Sequence, residues 1–423
     1  MEHAQDISRH PCFNAGAKGY YGRVHLPVAP KCNLGCNYCN RKYDCVNESR
    51  PGVTSAVLAP HQAAAYLGEV LAREGRIAVA GIAGPGDPLA NPEATLATLR
   101  MIHENHPELL VCLSSNGLAL APHLDEVADL TSHVTLTINA VDPEVGRHIY
   151  AWARDGKVIY RGRAAAELLI TRQREALIGL KRRGRVVKIN TIVIPGVNDQ
   201  HLEAVARTVA ELGADIQNLI PVCRVEGAPL GDGPEVSPVL LERLRGRCGA
   251  IIPQMTHCTR CRADAVGLLG QDQSGQMAGC LSRCASLPRP AAGNRPYVAV
   301  ASREGLLVNL HLGQAPSFQI WAPAGAGFRL VEERPAPPMG GGPERWARLA
   351  ELLQDCRAVL ASAIGGTPRQ ALASTGIQLV EMEGFIELGL KALYQGGDLA
   401  AFARRAGGGC CRGAQGDGEG CGG

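Results

Sequence analysis

Residues 31–40 read KCNLGCNYCN and follow directly on an apolar, β-branched run at 24–28. Cys32, Cys36 and Cys39 have the spacing C-x-x-x-C-x-x-C, which turns three thiols of one loop towards a common point. A structural zinc ion asks for four protein ligands. Three thiolates instead suit three irons of a 4Fe-4S cluster and leave the fourth iron open to a ligand from outside the chain. The flanking sequence supplies the scaffold. Short β-branched runs at 24–28, 77–82, 109–114, 134–139, 186–194 and 216–222 alternate with helical spacing at 60–73, 92–105, 123–130, 164–183 and 201–212. Several of the helical stretches open on Pro or Asp, as helix starts do. Six such units predict an α/β chain built on a partial parallel (β/α)6 barrel. Chemistry in such barrels belongs at the carboxyl ends of the strands, where the cysteine loop begins.

Sixteen cysteines among 423 residues are the compositional anomaly. The start, MEHAQDISRHPC, has no apolar signal core, and no run approaches the ~18 apolar residues of a membrane span. The expected compartment is therefore the reducing cytoplasm, where clustered cysteines read as metal or redox ligands. Forty-three Lys+Arg against 40 Asp+Glu give a net charge of +3, too balanced to announce a nucleic acid or a membrane as the main partner. At ~150 residues per domain the length allows two or three domains. The expected divisions are an N-terminal arm at 1–22, the barrel at 23–285 and a Pro- and Gly-rich linker at 286–296. A second, smaller α/β domain is expected at 297–399, with strands near 298–301, 306–310, 317–321 and 328–332 before helix and strand alternate. The Gly- and Cys-rich tail at 400–423 is expected to be disordered.

The cysteine loop, at this spacing and position, resembles that of the radical S-adenosylmethionine (SAM) superfamily. The resemblance implies that the amine and carboxylate of SAM chelate the open iron and that an electron from the cluster cleaves the sulfonium. It also implies that the segment AGPGDP, with Gly84, Gly86 and Asp87, contacts the methionyl amine; a tight turn is the plain alternative. Strand alternation puts Thr135, Thr137 and Asn139 on one face, and Lys188, Asn190, Ile192 and Ile194 on one face of the next strand. A polar patch would there give way to apolar packing for an adenine, with ordinary barrel filling as the alternative. Asn116 shares a face with Ser114 and Cys112 and points towards the same cavity.

Six further residues have ligand chemistry: His10 and Cys12 in RHPCFN, Cys45 six residues after Cys39, Cys112 within a strand, and Cys258 and Cys261 in HCTRC. Each alone has a plain reading, such as a buried thiol or a zinc half-site. Together they favour two more clusters with three protein ligands each. HPC, APKCNLGCNYCNRKYDC, NESRPGV, AGPGDPLANP, SSNG, TLTINAVDPEVG, IPGVNDQH and CTRCRADAVGLLG resemble, between about residues 10 and 272, the NifB family of nitrogenase-cofactor maturases. That resemblance implies three 4Fe-4S clusters, one binding SAM and two serving as precursors. The precursors are fused with a SAM-derived carbide and an extra sulfur into an 8Fe-9S-C product. By position, His10, Cys45 and Cys261 would hold one precursor, and Cys12, Cys112 and Cys258 the other. The partners implied are iron-sulfur donor proteins, a ferredoxin- or flavodoxin-like electron donor and a NifEN-type scaffold.

His10 is a protonatable and weaker ligand than thiolate, which suits release during fusion. Glu48 is the carboxylate nearest in sequence to Cys45 and the candidate base for forming the carbide; a solvated or Arg50-paired side chain is the alternative. Residues 295–399 are similar to the NifX and NafY family of cofactor carriers, which implies a ribonuclease H-like α/β fold, with His311 of VNLHLGQA as a transient cluster ligand. Two other readings compete. Another radical SAM enzyme with auxiliary clusters would not predict HPC before the barrel or Cys112 within a strand. An iron-sulfur carrier would leave the Gly84 to Asp87 segment without a purpose.

Overall fold

A computed structural model describes residues 6–47, 52–287, 295–325, 327–339, 342–373 and 375–395. The chain forms two compact units, Met1–Leu287 and Pro288–Gly423. In the first, the elements in order are β1 (Gly22–His25), β2 (Leu34–Cys36), α1 (Pro60–Arg73), β3 (Ile77–Ile82), α2 (Pro92–Asn105), β4 (Leu110–Ser115), α3 (Leu124–Leu130), β5 (His133–Thr137) and α4 (Pro143–Ile149). There follow β6 (Tyr150–Asp155), β7 (Val158–Arg161), α5 (Gly162–Arg182), β8 (Val186–Val193), α6 (Leu202–Glu211), β9 (Ile216–Pro221), α7 (Pro238–Gly249), β10 (Val266–Leu268), β11 (Gln271–Asp272) and α8 (Ser274–Ala285). Strands β1-β3-β4-β5-β8-β9 run parallel in that spatial order. Each strand therefore lies beside its successor, with helices as crossovers, and this is the partial barrel expected.

Local sequence explains these elements. Pro60, Pro92, Pro143 and Pro238 each open a helix, where the absent N–H has no intrahelical partner to lose. Helix α1 buries Ala63, Tyr66, Leu67 and Val70, an i, i+3, i+4, i+7 stripe. Strand β3 is buried at all six positions, as a parallel strand covered on both faces must be. Each large aliphatic side chain in this core, such as Leu67, Leu99, Leu177 or Val205, stabilises it by about 1.5–3 kcal/mol.

Two features have no counterpart in the hydrophobic pattern. The first is a hairpin, β6–β7, turning at Gly156 with φ +58°. It pairs with β2 into a three-stranded sheet, so the cysteine loop is itself a strand. The second is the route of residues 253–268. Gln217 in β9 donates to the Pro253 carbonyl (2.8 Å) and accepts from Met255 N–H (2.8 Å), and Val266 and Gly267 then pair antiparallel with β1. The segment starts on the last parallel strand and ends on the first, so it closes the open side of the barrel.

The second unit contains β12 (Tyr297–Val300), β13 (Leu307–Val308), β14 (Ser317–Ala324), β15 (Gly327–Pro335), α9 (Gly342–Leu352), β16 (Cys356–Ala361), α10 (Gly366–Ala373), β17 (Gln378–Glu381), β18 (Gly384–Phe385) and α11 (Ile386–Gln395). Its main sheet has the order β15-β14-β12-β16-β17, antiparallel on one side of β12 and parallel on the other. That arrangement is the α/β, ribonuclease H-like order. The strand expected at 306–310 shrinks to β13, which pairs with β18 outside this sheet. Most of the linker, the tail with Cys410, Cys411 and Cys421, and Glu48 lie outside the described residues. Among the described residues no helix is long and apolar enough to cross a membrane.

Candidate metal-cluster site

The carboxyl ends of the parallel strands open on a cavity lined by Cys32, Cys36, Cys39 and Cys45 together with Gly86, Asp87, Asn116 and Thr137. Main-chain bonds fasten the glycine segment to the cysteine loop. Gly86 N–H donates to the Ala29 carbonyl (2.5 Å), Asp87 N–H to that of Lys31 (2.7 Å), and Cys45 N–H to that of Pro85 (2.8 Å). A Cβ on Gly86 would fall on the Lys31 carbonyl, so only glycine allows this approach. Gly84, at φ +150°, does not line this cavity; its carbonyl accepts from Ala29 N–H. Asp87 is buried among neutral donors: Leu89 N–H (2.9 Å), Asn116 N–H (2.6 Å) and the Ser115 hydroxyl. Burial raises its pKa, and an ammonium bound in this cavity would supply the missing counter-charge.

The loop thiols are held as neutral groups. Burial, with Asp87 as the next cause, pushes Cys32 up to about 12. Burial also raises Cys36 well above the usual thiol range, and Cys39 less far. Iron binding here must displace protons. Tyr38, between Cys36 and Cys39, is wholly buried. Its hydroxyl donates to Asn47 Oδ1 (2.5 Å) and accepts from Asn139 Nδ2 (2.7 Å), while Asn139 Oδ1 accepts from Ile192 N–H (2.8 Å). Asn139 and Ile192 thus line neither cavity; they tie the cysteine loop to β8.

A second cavity lies deeper in the barrel. His10, Cys12, Cys112, Cys258 and Cys261 all line it. Asn47 and Ser114 line both cavities, so the two adjoin. The lower wall carries Arg23, Lys188 and Arg260, with no Asp or Glu among its described residues. Arg23 is 2% exposed; its Nε and Nη2 donate to Cys261 Sγ (3.3 and 3.2 Å) and its Nη1 to the Gly267 and Leu268 carbonyls. The Lys188 ammonium stands 5.1 Å from the Phe13 ring centroid. Burial pushes Cys12 up to about 11. His10 Nε2, Ser114 Oγ and Asn218 Oδ1, from residues lining this cavity, are buried without a hydrogen-bond partner among the described residues. Unsatisfied buried polar atoms are uncommon, and three of the eight found among the described residues belong to residues lining this one cavity.

The N-terminal arm reaches the lower cavity through His10, which packs with Phe13 and His133 at centroid distances of 4.6 and 4.5 Å. Burial, then His133 and Lys188, depresses the His10 pKa well below its usual value, so the ring is neutral. Its Nδ1 accepts Cys12 N–H (3.2 Å), which puts the ring proton on Nε2. Iron at Nε2 must displace that proton or shift it to Nδ1 and turn Cys12 N–H away. A ligand site that costs an existing hydrogen bond suits a ligand that is later released.

Among the described residues no three His, Cys, Asp or Glu side chains converge tightly enough for one metal ion. The thiols stand around cavity walls instead, an arrangement that a multi-iron cluster accommodates. Cys45 is set apart from its expected companions, since it lines the upper cavity. His311 is half-buried and caps a short turn, its Nδ1 accepting from Gly313 N–H (3.0 Å), rather than standing exposed. Three cavity residues, Arg23, His25 and Arg260, were not among the sequence candidates. His25 Nδ1–H donates to the Arg262 carbonyl (2.9 Å), which leaves the lone pair on Nε2, and burial brings its pKa down to about 4. The signal for the first two was present: Arg23 and His25 alternate with Val24 and Leu26 in the first barrel strand, two polar side chains on one face.

Comparison with known proteins adds the following. The radical SAM superfamily pattern matches residues 26–209, and the pattern described as dinitrogenase iron-molybdenum cofactor matches residues 294–396. The chain is 49% identical to the FeMo cofactor biosynthesis protein NifB of Chlorobaculum tepidum, covering 98% of this chain and 99% of that one. It is 42% identical to the protein of the same name from Klebsiella pneumoniae, covering 89% and 87%. The Frankia alni protein of that name is 40% identical, covering 91% and 87%.

Proposed function

Since the chain belongs to the NifB family of FeMo cofactor biosynthesis proteins and is a radical SAM enzyme with a NifX-like C-terminal domain, we propose that it fuses two 4Fe-4S substrates into an 8Fe-9S-C product with a SAM-derived carbide and an added sulfur. The single observation that carries this reading is the pair of adjoining cavities: one lined by the three-cysteine loop, the other by five further ligand side chains and three cations. A radical SAM enzyme with an ordinary organic substrate would have no use for five ligand side chains in the second.

Cys32, Cys36 and Cys39 would hold the SAM-binding cluster. Asp87 would take the methionyl ammonium of SAM, with Gly86, Asn116 and Thr137 shaping that pocket. When bound, this cluster and two SAM molecules supply a methyl group and a 5′-deoxyadenosyl radical. His10, Cys45 and Cys261 would hold one substrate cluster, and Cys12, Cys112 and Cys258 the other. Because Cys45 lines the upper cavity, the set containing it would straddle the boundary at Asn47 and Ser114 and keep that substrate beside SAM. Arg23, Lys188 and Arg260 would balance the substrates' negative charge. Proton removal needs a base. Glu48 is the carboxylate proposed, and among the described residues His25 presents a neutral imidazole to the lower cavity.

In the second unit His311 would hold the product before it passes to a NifEN-type scaffold. His311→Ala should weaken product retention and leave SAM cleavage intact. The deciding experiment is anaerobic reconstitution. About twelve irons in three 4Fe-4S units, with SAM converted to 5′-deoxyadenosine and S-adenosylhomocysteine, is the expected result. About four irons, or no SAM cleavage, would remove the reading.

A further inference from the structure

Pairing sorts the β2-β6-β7 sheet into two faces. Leu34, Ala153 and Tyr160 share the inner face and pack into the core beneath. The outer face carries Gly35, Trp152 and Arg161 in one row and Arg154 and Ile159 in the next. Trp152 lies so close over Gly35 that a Cβ there would fall inside the indole. That glycine is the neighbour of Cys36, so the indole covers the backbone of the cluster loop from outside. Around it, Ile159 is 43% exposed and Val158, at the turn, 53%. Arg154, Lys157 and Arg161 are exposed and make no ion pair among the described residues, whereas the hairpin's acid, Asp155, is engaged by Arg172. In a chain whose net charge is only +3, three uncompensated cations on one hairpin are a local concentration of charge. Neither cavity uses this surface.

An apolar centre ringed by charge is the anatomy of a protein interface, and a small one suits the brief encounters of redox partners. We propose that this outer face docks an acidic one-electron carrier protein that reduces the SAM-binding cluster across Gly35. The carrier loses one electron, the cluster gains it, and no atom is transferred. Positive charge on the chain and negative charge on the carrier steer the encounter. The proposal rests on the reading of Cys32, Cys36 and Cys39 as ligands of that cluster.

The test uses the full chain, both metal-free and anaerobically loaded, with a low-potential acidic ferredoxin as probe. Titration calorimetry should show binding that weakens with salt, because screening shortens from ~14 Å at ~50 mM to ~4 Å at ~500 mM. Arg154→Glu with Arg161→Glu should lower affinity at least ~10-fold at low salt and flatten the salt dependence. The same variant should slow ferredoxin-driven reduction of the cluster, followed by electron paramagnetic resonance, and leave dithionite-driven SAM cleavage unchanged. Arg154→Gln with Arg161→Gln, a milder change, should lose about threefold in affinity. Unchanged ferredoxin affinity in both variants would overturn the proposal, as would an equal loss with dithionite. Binding to phosphatidylglycerol vesicles as tight as to ferredoxin, with the same charge dependence, would overturn it in favour of a membrane surface. Absence of dithionite-driven SAM cleavage in the wild type would instead count against the cluster assignment, while docking to the metal-free chain is measured independently.

Discussion

Replacing Arg23 by Met separates what the guanidinium does for the fold from what it does for the contents of the lower cavity. In the metal-free chain Met fills much of the same volume but strands the Gly267 and Leu268 carbonyls and removes the donors to Cys261. Orphaned acceptors cost about 1–3 kcal/mol each. Removing a buried cation that has no carboxylate beside it in the cavity returns part of that, so the net loss should be about 1–2 kcal/mol. With an anionic cluster present, the guanidinium gains about 3 kcal/mol per unit charge ~5 Å away at an effective dielectric constant of ~20. The loaded chain should therefore lose several kcal/mol more than the metal-free chain, equivalent to ~100-fold weaker retention of the substrate clusters. Thermal unfolding of both forms measures the first quantity, and iron released to a chelator against time measures the second. Arg23→Lys keeps the charge without the forked donors and should fall between. Equal losses in the loaded and metal-free forms would refute the reasoning, because Arg23 would then be only a brace for β10.

Other outcomes follow from single contacts. His10→Asn keeps an acceptor for Cys12 N–H, as in an Asx turn, but removes the ring; SAM cleavage should persist and fusion product should vanish, and full product would exclude His10 as a ligand. Gly86→Ala drives a methyl into the Lys31 carbonyl and should cost about 1–3 kcal/mol locally; loss of about four irons from the reconstituted chain is expected, and an unchanged iron content would refute it. Arg334 clamps Asp355 through two bonds of 2.6 and 2.7 Å, and this pairing holds the carboxyl below its usual range. Because the folded pKa is the lower one, the stabilisation is complete above the unfolded value of ~3.9 and is lost as pH falls through the folded value. Tryptophan fluorescence, with Trp321 and Trp346 as reporters, should show the second unit loosening below about pH 4, and Asp355→Asn should be weaker by about 1–2 kcal/mol at neutral pH and flatter in acid.

Much of this was legible because the barrel strands are β-branched and their helices strongly periodic. Strand β3 and helices α1 and α2 fall on the expected residues 77–82, 60–73 and 92–105 without a shift. His10, Cys12, Cys112, Cys258 and Cys261, singled out in the sequence for their ligand chemistry, line one cavity, whereas Cys45 lines the other. The hairpin β6–β7 was not legible, because Trp152, Arg154, Ile159 and Arg161 lie on a sheet with one solvated face and β2 is only three residues long. Nor was the role of Asn139 and Ile192. Asn139 bonds the Tyr38 hydroxyl and Ile192 N–H and lines neither cavity, and nothing in a strand pattern shows which loop will fold over it. Arg23 was missed for a different reason: its alternation with Val24 marks a polar side chain on the inner face, but what that side chain does shows only once Cys261 is seen beside it.

The stacking of the two cavities is a consequence of strand periodicity. Along β4 and just beyond it, Cys112 lines the lower cavity, Ser114 both, and Asn116 the upper; along β5, Thr135 lines the lower and Thr137 the upper. Successive inward positions are two residues apart, about 6.6 Å, the scale of a single four-iron cube. One layer of side chains therefore separates the two cavities, the proposed spaces for SAM and for the iron-sulfur substrates. On the proposed reading, a shift of one layer would be enough to pass a carbon from one to the other without opening the barrel. Asp87 lines the upper cavity together with one cation, Arg41, whereas Arg23, Lys188 and Arg260 line the lower one with no Asp or Glu among its described residues. Burial raises the Cys12 thiol as it does Cys32, Cys36 and Cys39, so iron bound to them would release protons. On the proposed reading, Arg23, Lys188 and Arg260 already line the lower cavity to meet the negative charge that results.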